Sequence, residues 1–158
     1  MARALEYLLP FRRRQFTSEL SASDASLALA GEVEPRRWLR FGWNAKTFQG
    51  TVGADTFDIQ RIIRYRNSFL PRIRGTIQAE TAGSSISVTM SLPGPVLIFL
   101  VVWLAIALTA TFESMSRSGL TTAIAIVVFV WLMTAGGFAF EAAKAERALC
   151  KILRSKRS

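Results

Sequence analysis

The sequence contains no histidine and a single cysteine, Cys150, among its 158 residues. Without histidine the chain cannot build a Ser-His-Asp or Cys-His catalytic triad or an imidazole metal site. One cysteine excludes an intramolecular disulfide and a cysteine-rich metal site. A glycine-rich phosphate loop is also missing, because neither a lysine nor a helical pattern follows Gly50 and Gly53. We therefore expect no catalytic, cofactor-binding or metal-binding residues and interpret the chain as a protein that is not an enzyme.

Charged side chains are scarce in one long part of the chain. Residues 92–140 carry only Glu113 and Arg117, although 20% of all residues are charged. The two runs 95–112 and 120–140 hold no charge, and at about 1.5 Å per residue each can cross a hydrocarbon core of roughly 30 Å, the first only just. Buried helices of a soluble protein are the alternative, but so short a chain leaves little to bury them. The sequence therefore predicts two transmembrane helices.

The distribution of basic residues predicts the orientation of these helices. Thirteen of the 20 Lys and Arg residues lie in residues 1–91, one lies in the connection 113–119, and six lie in residues 141–158. Lys and Arg are enriched on the cytoplasmic side, so both termini are predicted to be cytoplasmic. No cleavable signal is visible, because the apolar patch Leu5–Leu9 is short and ends at Pro10. We predict a multi-pass protein of the inner cell membrane.

The net charge of +9 suggests an anionic partner. In a soluble protein this charge would suggest nucleic acid. Here the basic residues are dispersed and no recognised nucleic-acid motif accompanies them, so nucleic acid is not expected. Basic surface beside a membrane is favoured both by topology and by anionic head groups. Membrane lipids are therefore the first expected partner.

Alternating apolar residues predict strands in the first 92 residues. A first strand is predicted at 16–22, followed by a short helix that Ser23 or Asp24 caps and that ends at Gly31. Two hairpins are predicted next, at 48–59 and at 73–92. The predicted fold class is an α+β membrane protein with three parts: a cytoplasmic antiparallel β-meander with a short helix at 1–92, a transmembrane helical hairpin at 93–140, and a basic amphipathic helical extension at 141–158.

An arginine-rich segment, Arg61–Arg74, joins the two predicted hairpins. Its guanidinium groups could bind lipid phosphates or a partner's carboxylates in a bidentate manner. In the alternative, which we favour, they form the solvated face of two strands, because strand alternation alone places several on one side. The candidate contacts with a partner or a lipid head group are Arg61, Arg64, Tyr65, Arg66, Asn67, Arg72 and Arg74.

The same region carries a resemblance. The segments involved are Phe48-x-Gly50, Phe57-x-Ile59-x-Arg61, Tyr65-Arg-Asn-Ser-Phe-Leu-Pro71 and Gly75-x-Ile77, with a strand leading into two hydrophobic runs. Together, over roughly residues 46–140, they resemble a group of small bacterial two-span membrane proteins of unknown function, which implies no activity. In outline the strand, helix and meander are also similar to lipid-binding folds of the START or pleckstrin-homology kind, which implies a fold and no residue roles.

The apolar runs and the tail also predict packing. Trp103 and Trp131 lie at nearly equal depth on antiparallel helices, so we expect them to touch. Gly136 and Gly137 belong to a small-residue surface that allows close approach to the first helix or to another subunit, which leaves a homo-oligomer open. Neither run holds an ionisable residue, so transport is not expected. The apolar stripe of the tail could lie on head groups, pair with another subunit or dock on the meander, and we favour docking.

No activity follows from these patterns, and three functions stay open. The lead hypothesis is a membrane-anchored cytoplasmic interaction module whose contact surface is the Arg61–Arg74 segment. The alternatives are binding of a lipid or small hydrophobic ligand by the meander, and a role as an accessory subunit of a larger membrane complex. A lipid carrier needs an apolar cavity between sheet and helix, whereas an anchor needs only a filled core and an exposed basic edge.

Overall fold

A computed structural model describes residues 10–36, 46–63, 65, 67–114 and 117–157. These residues form an α+β fold with a seven-stranded sheet and three helices. The strands are β1 (Phe11–Ser18), β2 (Val33–Glu34), β3 (Phe48–Val52), β4 (Thr56–Arg61), β5 (Arg72–Glu80), β6 (Gly83–Ser91) and β7 (Ser155–Arg157). The helices are α1 (Ala22–Gly31), α2 (Gly94–Ser114) and α3 (Arg117–Ile152).

The predicted meander forms the middle of the sheet. Strand order is β2-β3-β4-β5-β6-β1-β7, and β3 to β6 are four consecutive antiparallel strands. Strand β1 pairs antiparallel with β6 along its whole length, from Phe11 opposite Ser91 to Ser18 opposite Ser84. The two-residue β2 pairs parallel with β3 at one edge, and β7 pairs with β1 at the other. The first strand of the chain therefore lies beside the last strand of the meander.

Alternation divides the sheet into two faces of opposite character. On β6, Ile86, Val88 and Met90 are fully buried, whereas Ser87 and Thr89 are only partly buried and point the other way. We call the apolar side the inner face and the polar side the outer face. The inner face is the one that α1 (Ala25, Leu29) and the second half of α3 cover.

The first strand lies earlier than the alternation predicted. It spans Phe11–Ser18 and not 16–22, because Arg12 and Arg14 alternate with Phe16 on the inner face, where both pair with the carboxylate of Glu146. Because arginine is usually exposed, Arg12 and Arg14 did not count toward an apolar alternation that would predict this strand. The cap of α1 is also corrected: the Ser21 hydroxyl accepts from the backbone N–H of Asp24 at 3.1 Å, so neither Ser23 nor Asp24 is the cap.

The 36-residue helix α3 has two halves with different surroundings. Its second half packs on the inner face, where Ala142, Ala145 and Leu149 have no exposed surface, and Leu153, directly after the helix, is buried in the same way. Residues 141–153 are thus part of the core of the sheet domain and not a separate tail. The docking alternative describes this arrangement.

Helix α2 and the first half of α3 expose apolar side chains instead. Phe99 is 65% exposed, Val101 67% and Phe129 63%. Among the described residues, α3 is the helix long and apolar enough to cross a membrane, and the shorter apolar stretch Gly94–Thr109 lies in α2. The two helices contact each other. Helix α2 ends at Ser114 and α3 begins at Arg117, so the connection between them is shorter than the one predicted between the runs 95–112 and 120–140.

Candidate functional site

The structure separates the candidate residues of the Arg61–Arg74 segment onto the two faces of the sheet. Arg61 ends β4 on the inner face, whereas Arg72 and Arg74 lie on the outer face of β5, on either side of the buried Ile73. Arg64 and Arg66 lie outside the described residues. The candidate arginines therefore do not form one surface.

On the inner face, the buried carboxylate of Glu141 on α3 collects three partners. The Arg61 guanidinium donates to Glu141 Oε2 at 2.9 Å, and the Tyr65 hydroxyl donates to Oε1. Lys144 Nζ lies 3.7 Å from Oε1. Because Glu141 is only 1% exposed, these contacts compensate a charge that would otherwise be costly to bury. They attach the connection between β4 and β5 to the helix.

Lys144 also contacts aromatic rings at this end of the sheet. Its Nζ lies 4.0 Å from the centre of the Phe140 ring and 5.8 Å from that of Tyr65. Phe140 is 59% exposed and ends the uncharged run of α3. An exposed aromatic followed by a lysine is typical of the boundary between hydrocarbon and head groups.

A second buried carboxylate, Glu146, lies further along α3. Arg14 Nε donates to Glu146 Oε1 at 3.3 Å, and Arg12 Nη1 lies 3.9 Å from the same oxygen. Neither glutamate is among the candidate residues predicted from the sequence. The available signal was that Glu141 and Glu146 flank the apolar stripe of the helix, where an unpaired charge would be unfavourable.

The connection between β4 and β5 also packs against α3. Asn67 Oδ1 accepts from the backbone N–H of Phe69 at 2.9 Å, which closes a turn. The Phe69 ring lies against Gly137, where an added Cβ would be 2.9 Å from Phe69 Cδ2. Gly136 is exposed, with nothing within 4 Å of such a Cβ. Gly137 thus serves a contact with this connection.

The tryptophan contact stays a prediction. Trp131 is 43% exposed and Trp103 is partly buried, on two helices that contact each other.

On the outer face, Asp58 of β4 is surrounded by three arginines. Arg72 Nε donates to both carboxylate oxygens, at 2.8 and 3.0 Å, Arg36 Nη2 donates at 3.1 Å and Arg74 Nε at 3.3 Å. The hydrogen bonds from Arg72 hold the pKa of Asp58 below its ordinary value and outweigh partial burial, which raises it. The same bonds raise the pKa of Arg72. Three guanidinium groups share one carboxylate, so this cluster keeps a positive charge.

An open groove of 610 Å³ lies beside this cluster on the outer face. Arg13 of β1 and Arg74 of β5 contribute guanidinium groups, and Asp58 contributes the carboxylate. Five side-chain hydroxyls complete its polar lining: Thr51, Thr56, Thr76, Ser87 and Thr89. Val52 and Phe57 also line the groove, which therefore offers hydrogen-bond donors to a ligand beside an apolar patch.

The described residues contain no group of His, Cys, Asp and Glu side chains that could hold a metal ion. No family model, curated protein or solved structure matches the chain.

Proposed function

We propose that the protein is a two-span membrane anchor that holds a cytoplasmic interaction domain against the inner leaflet. The observation that carries the proposal is the continuity of α3, whose exposed apolar half runs into a half buried in the sheet domain. A helix without a break transmits a fixed orientation. The sheet domain is accordingly held rigidly beside the bilayer.

Two features support a second span. The run 95–112 lies in α2 and is uncharged, and α2 packs against α3 with apolar side chains facing outwards. Exposing such surface to water would be unfavourable, whereas lipid accepts it. The Lys and Arg distribution favours both termini in the cytoplasm and the inner membrane as the location. The resemblance to small bacterial two-span proteins agrees with this proposal and adds no activity.

The proposed contact surface is the arginine rim, which consists of Arg36, Arg72 and Arg74. Their side chains are 48%, 37% and 62% exposed. Arg72 pairs with Ser91, three residues before α2 begins, so the rim lies near the end of the sheet from which the helices leave. Its excess positive charge suits an acidic protein partner.

The filled interior favours an anchor over a lipid carrier. Large side chains from strands and helix occupy the space between them, and Phe16, Phe48, Phe138 and Leu149 are each at most 1% exposed. A hydrophobic ligand would need a cavity of several hundred Å³ at this place. The groove of the outer face is open to solvent and lies outside this filled interior.

Cysteine labelling tests the proposed topology. In a Cys150→Ser background, Ser118→Cys should react with a membrane-impermeant maleimide in intact cells, whereas Thr51→Cys should react only after permeabilisation. Labelling of both residues only after permeabilisation would place the connection inside and overturn the two-span proposal.

Affinity purification in mild detergent, with mass spectrometry of proteins and lipids, tests the interaction. We expect a stoichiometric acidic protein partner whose binding is weakened by Arg36→Glu/Arg74→Glu, which reverses two charges of the arginine rim. The matched control, Arg147→Glu/Lys151→Glu, reverses two exposed charges on α3 and should leave binding unchanged. A retained lipid without a protein partner would instead support the ligand-binding alternative.

A further inference from the structure

We propose that the groove of the outer face binds a soluble small molecule bearing phosphate-type oxyanions, with Arg13 and Arg74 as its cationic contacts. This site goes beyond the membrane anchor. Every residue that lines the groove belongs to the sheet or its turns, and the choice of a soluble ligand over a lipid rests on the proposed membrane anchor.

The register of the sheet brings the two arginines to one place. Arg13 is opposite Thr89, and Thr89 is opposite Arg74, so the three residues form one row across β1, β6 and β5. Neighbouring strands are about 4.8 Å apart, which puts the Cα atoms of the two arginines about 10 Å apart. Two extended guanidinium groups can therefore both contact an oxyanion that lies above Thr89.

The charge of these arginines is available to a ligand. Asp58, the one carboxylate in the groove lining, is already neutralised by Arg72, which contacts both of its oxygens. Arg74 contacts Asp58 through Nε alone and makes no other ion pair or hydrogen bond with the described residues. Arg13 is exposed and has no ion pair within the described part of the chain. The groove thus carries an uncompensated positive charge.

The hydroxyl groups of the groove add neutral donors. Thr51, Thr76, Ser87 and Thr89 make no side-chain hydrogen bond with any residue that the structure describes. Guanidinium groups together with hydroxyls match the several acceptor oxygens of a phosphate group. The volume of 610 Å³ lies within the range of small-molecule sites, which is about 300–1,000 Å³. The lining therefore fits a phosphorylated small molecule.

The height of the groove above the bilayer favours a soluble ligand over a lipid. Thr89 and Ser87 precede the first residue of α2, Gly94, by five and seven residues. At about 3.4 Å per residue, these two residues lie about 17–24 Å along the chain from the start of the helix. A head-group layer is only about 5–8 Å thick on each side, so membrane phosphates remain out of reach.

Calorimetric titration of inorganic pyrophosphate into the full-length protein tests the proposal. The protein is placed in nanodiscs of neutral phosphatidylcholine. We expect saturable binding, and Arg13→Gln and Arg74→Gln should each weaken it about tenfold. Arg147→Gln removes one exposed charge from α3 and should leave the affinity within about twofold. Unchanged circular dichroism and unfolding temperature of the Arg13→Gln protein would show that the fold is intact.

Three results would overturn the proposal. The first is the absence of saturable binding to the wild type. The second is an equal loss of affinity in Arg147→Gln, which would mean general charge attraction. The third is loss of pyrophosphate binding when the discs contain phosphatidic acid, because a lipid phosphate would then occupy the groove. The outcome of the pyrophosphate titration does not depend on the outcome of cysteine labelling. The ligand site and the two-span topology are therefore tested separately.

Discussion

Glu141 and Glu146 lie on the face of α3 that meets the sheet, and arginines of strands pair with both. Each carboxylate is almost fully buried, so its energy depends on its partners. A buried charge that loses its partner is costly, while a satisfied pair is close to neutral. These contacts therefore fix how the helix sits on the sheet more than they add net stability.

Glu141→Gln should lower the free energy of unfolding by about 2–3 kcal/mol, because Arg61 loses its buried counter-charge. Urea denaturation in detergent, followed by circular dichroism, measures the change. Glu80→Gln is the control: Glu80 is exposed at the end of β5, and its substitution should cost less than about 0.5 kcal/mol. Equal effects of the two substitutions would contradict the role of the Glu141 contacts.

The lowered pKa of Asp58 predicts a loss of stability in acid. Its folded pKa lies below the unfolded value of about 3.9, so the unfolded state binds the proton first as the pH falls. The stabilisation by Arg72 is present above about pH 5 and decreases as the pH falls through the unfolded value towards the folded one. The difference in unfolding free energy between wild type and Asp58→Asn should therefore shrink from pH 6 to pH 3. A difference that stays constant over this range would be inconsistent with the ion pair.

Helix α3 meets the rest of the molecule through adjacent small residues with different surroundings. Gly137 faces the Phe69 ring, and Gly136 faces open space. Gly137 contacts the connection between β4 and β5, whereas Gly136 is available for packing against another helix. Alanine substitutions at these two neighbouring positions should therefore have opposite effects on stability.

Gly137→Ala should destabilise the protein by about 1–3 kcal/mol, because the new methyl group would overlap the Phe69 ring. Gly136→Ala should be neutral or stabilising by up to about 1 kcal/mol, since alanine favours a helix. Thermal unfolding in detergent compares the two variants. Adding Phe69→Leu should relieve part of the Gly137→Ala defect, and a defect unaffected by it would place the strain elsewhere.

Local patterns in the sequence were sufficient to predict the hairpins of the meander. Ile59, Ile73 and Ile86 lie where alternation predicts them, because the period of a strand is a local property. The same alternation predicts Arg72 and Arg74 on the polar side, but it cannot show that Arg61 pairs with Glu141, 80 residues later. The first strand was misplaced because its inward arginines are neutralised by a helix that no local pattern could connect to it.

The domain formed by the sheet and the helices on its inner face is built from two parts of the chain that are separated by the apolar helices. Strands β1 to β6 end at Ser91, and the helix that completes the core returns only after the apolar pair. The boundaries of a folding unit are therefore not those of the composition shift at residue 92. A domain in this sense needs residues 10–92 together with residues 134–157.

A chain in which a Gly/Ser linker of about ten residues replaces residues 94–133 should be soluble and unfold cooperatively. Residues 10–92 alone should aggregate, because the inner face then loses the apolar side chains of α3, which together contribute several kcal/mol. Size-exclusion chromatography and circular dichroism distinguish the two outcomes. A stable, monomeric 10–92 fragment would show that α3 is dispensable for the core.

The hydroxyl of Ser18 donates to the carbonyl of Leu153, 135 residues away. During synthesis, β1 to β6 leave the ribosome well before the helix that covers their apolar face. In the proposed topology, that helix returns to the cytoplasm only once both apolar helices have been inserted. The sheet domain can then complete its core only after both helices have been inserted. A chain stalled at the translocon exposes the uncovered apolar face of its sheet to chaperones and proteases. In this proposed topology, the order of the chain couples folding of the sheet domain to membrane insertion.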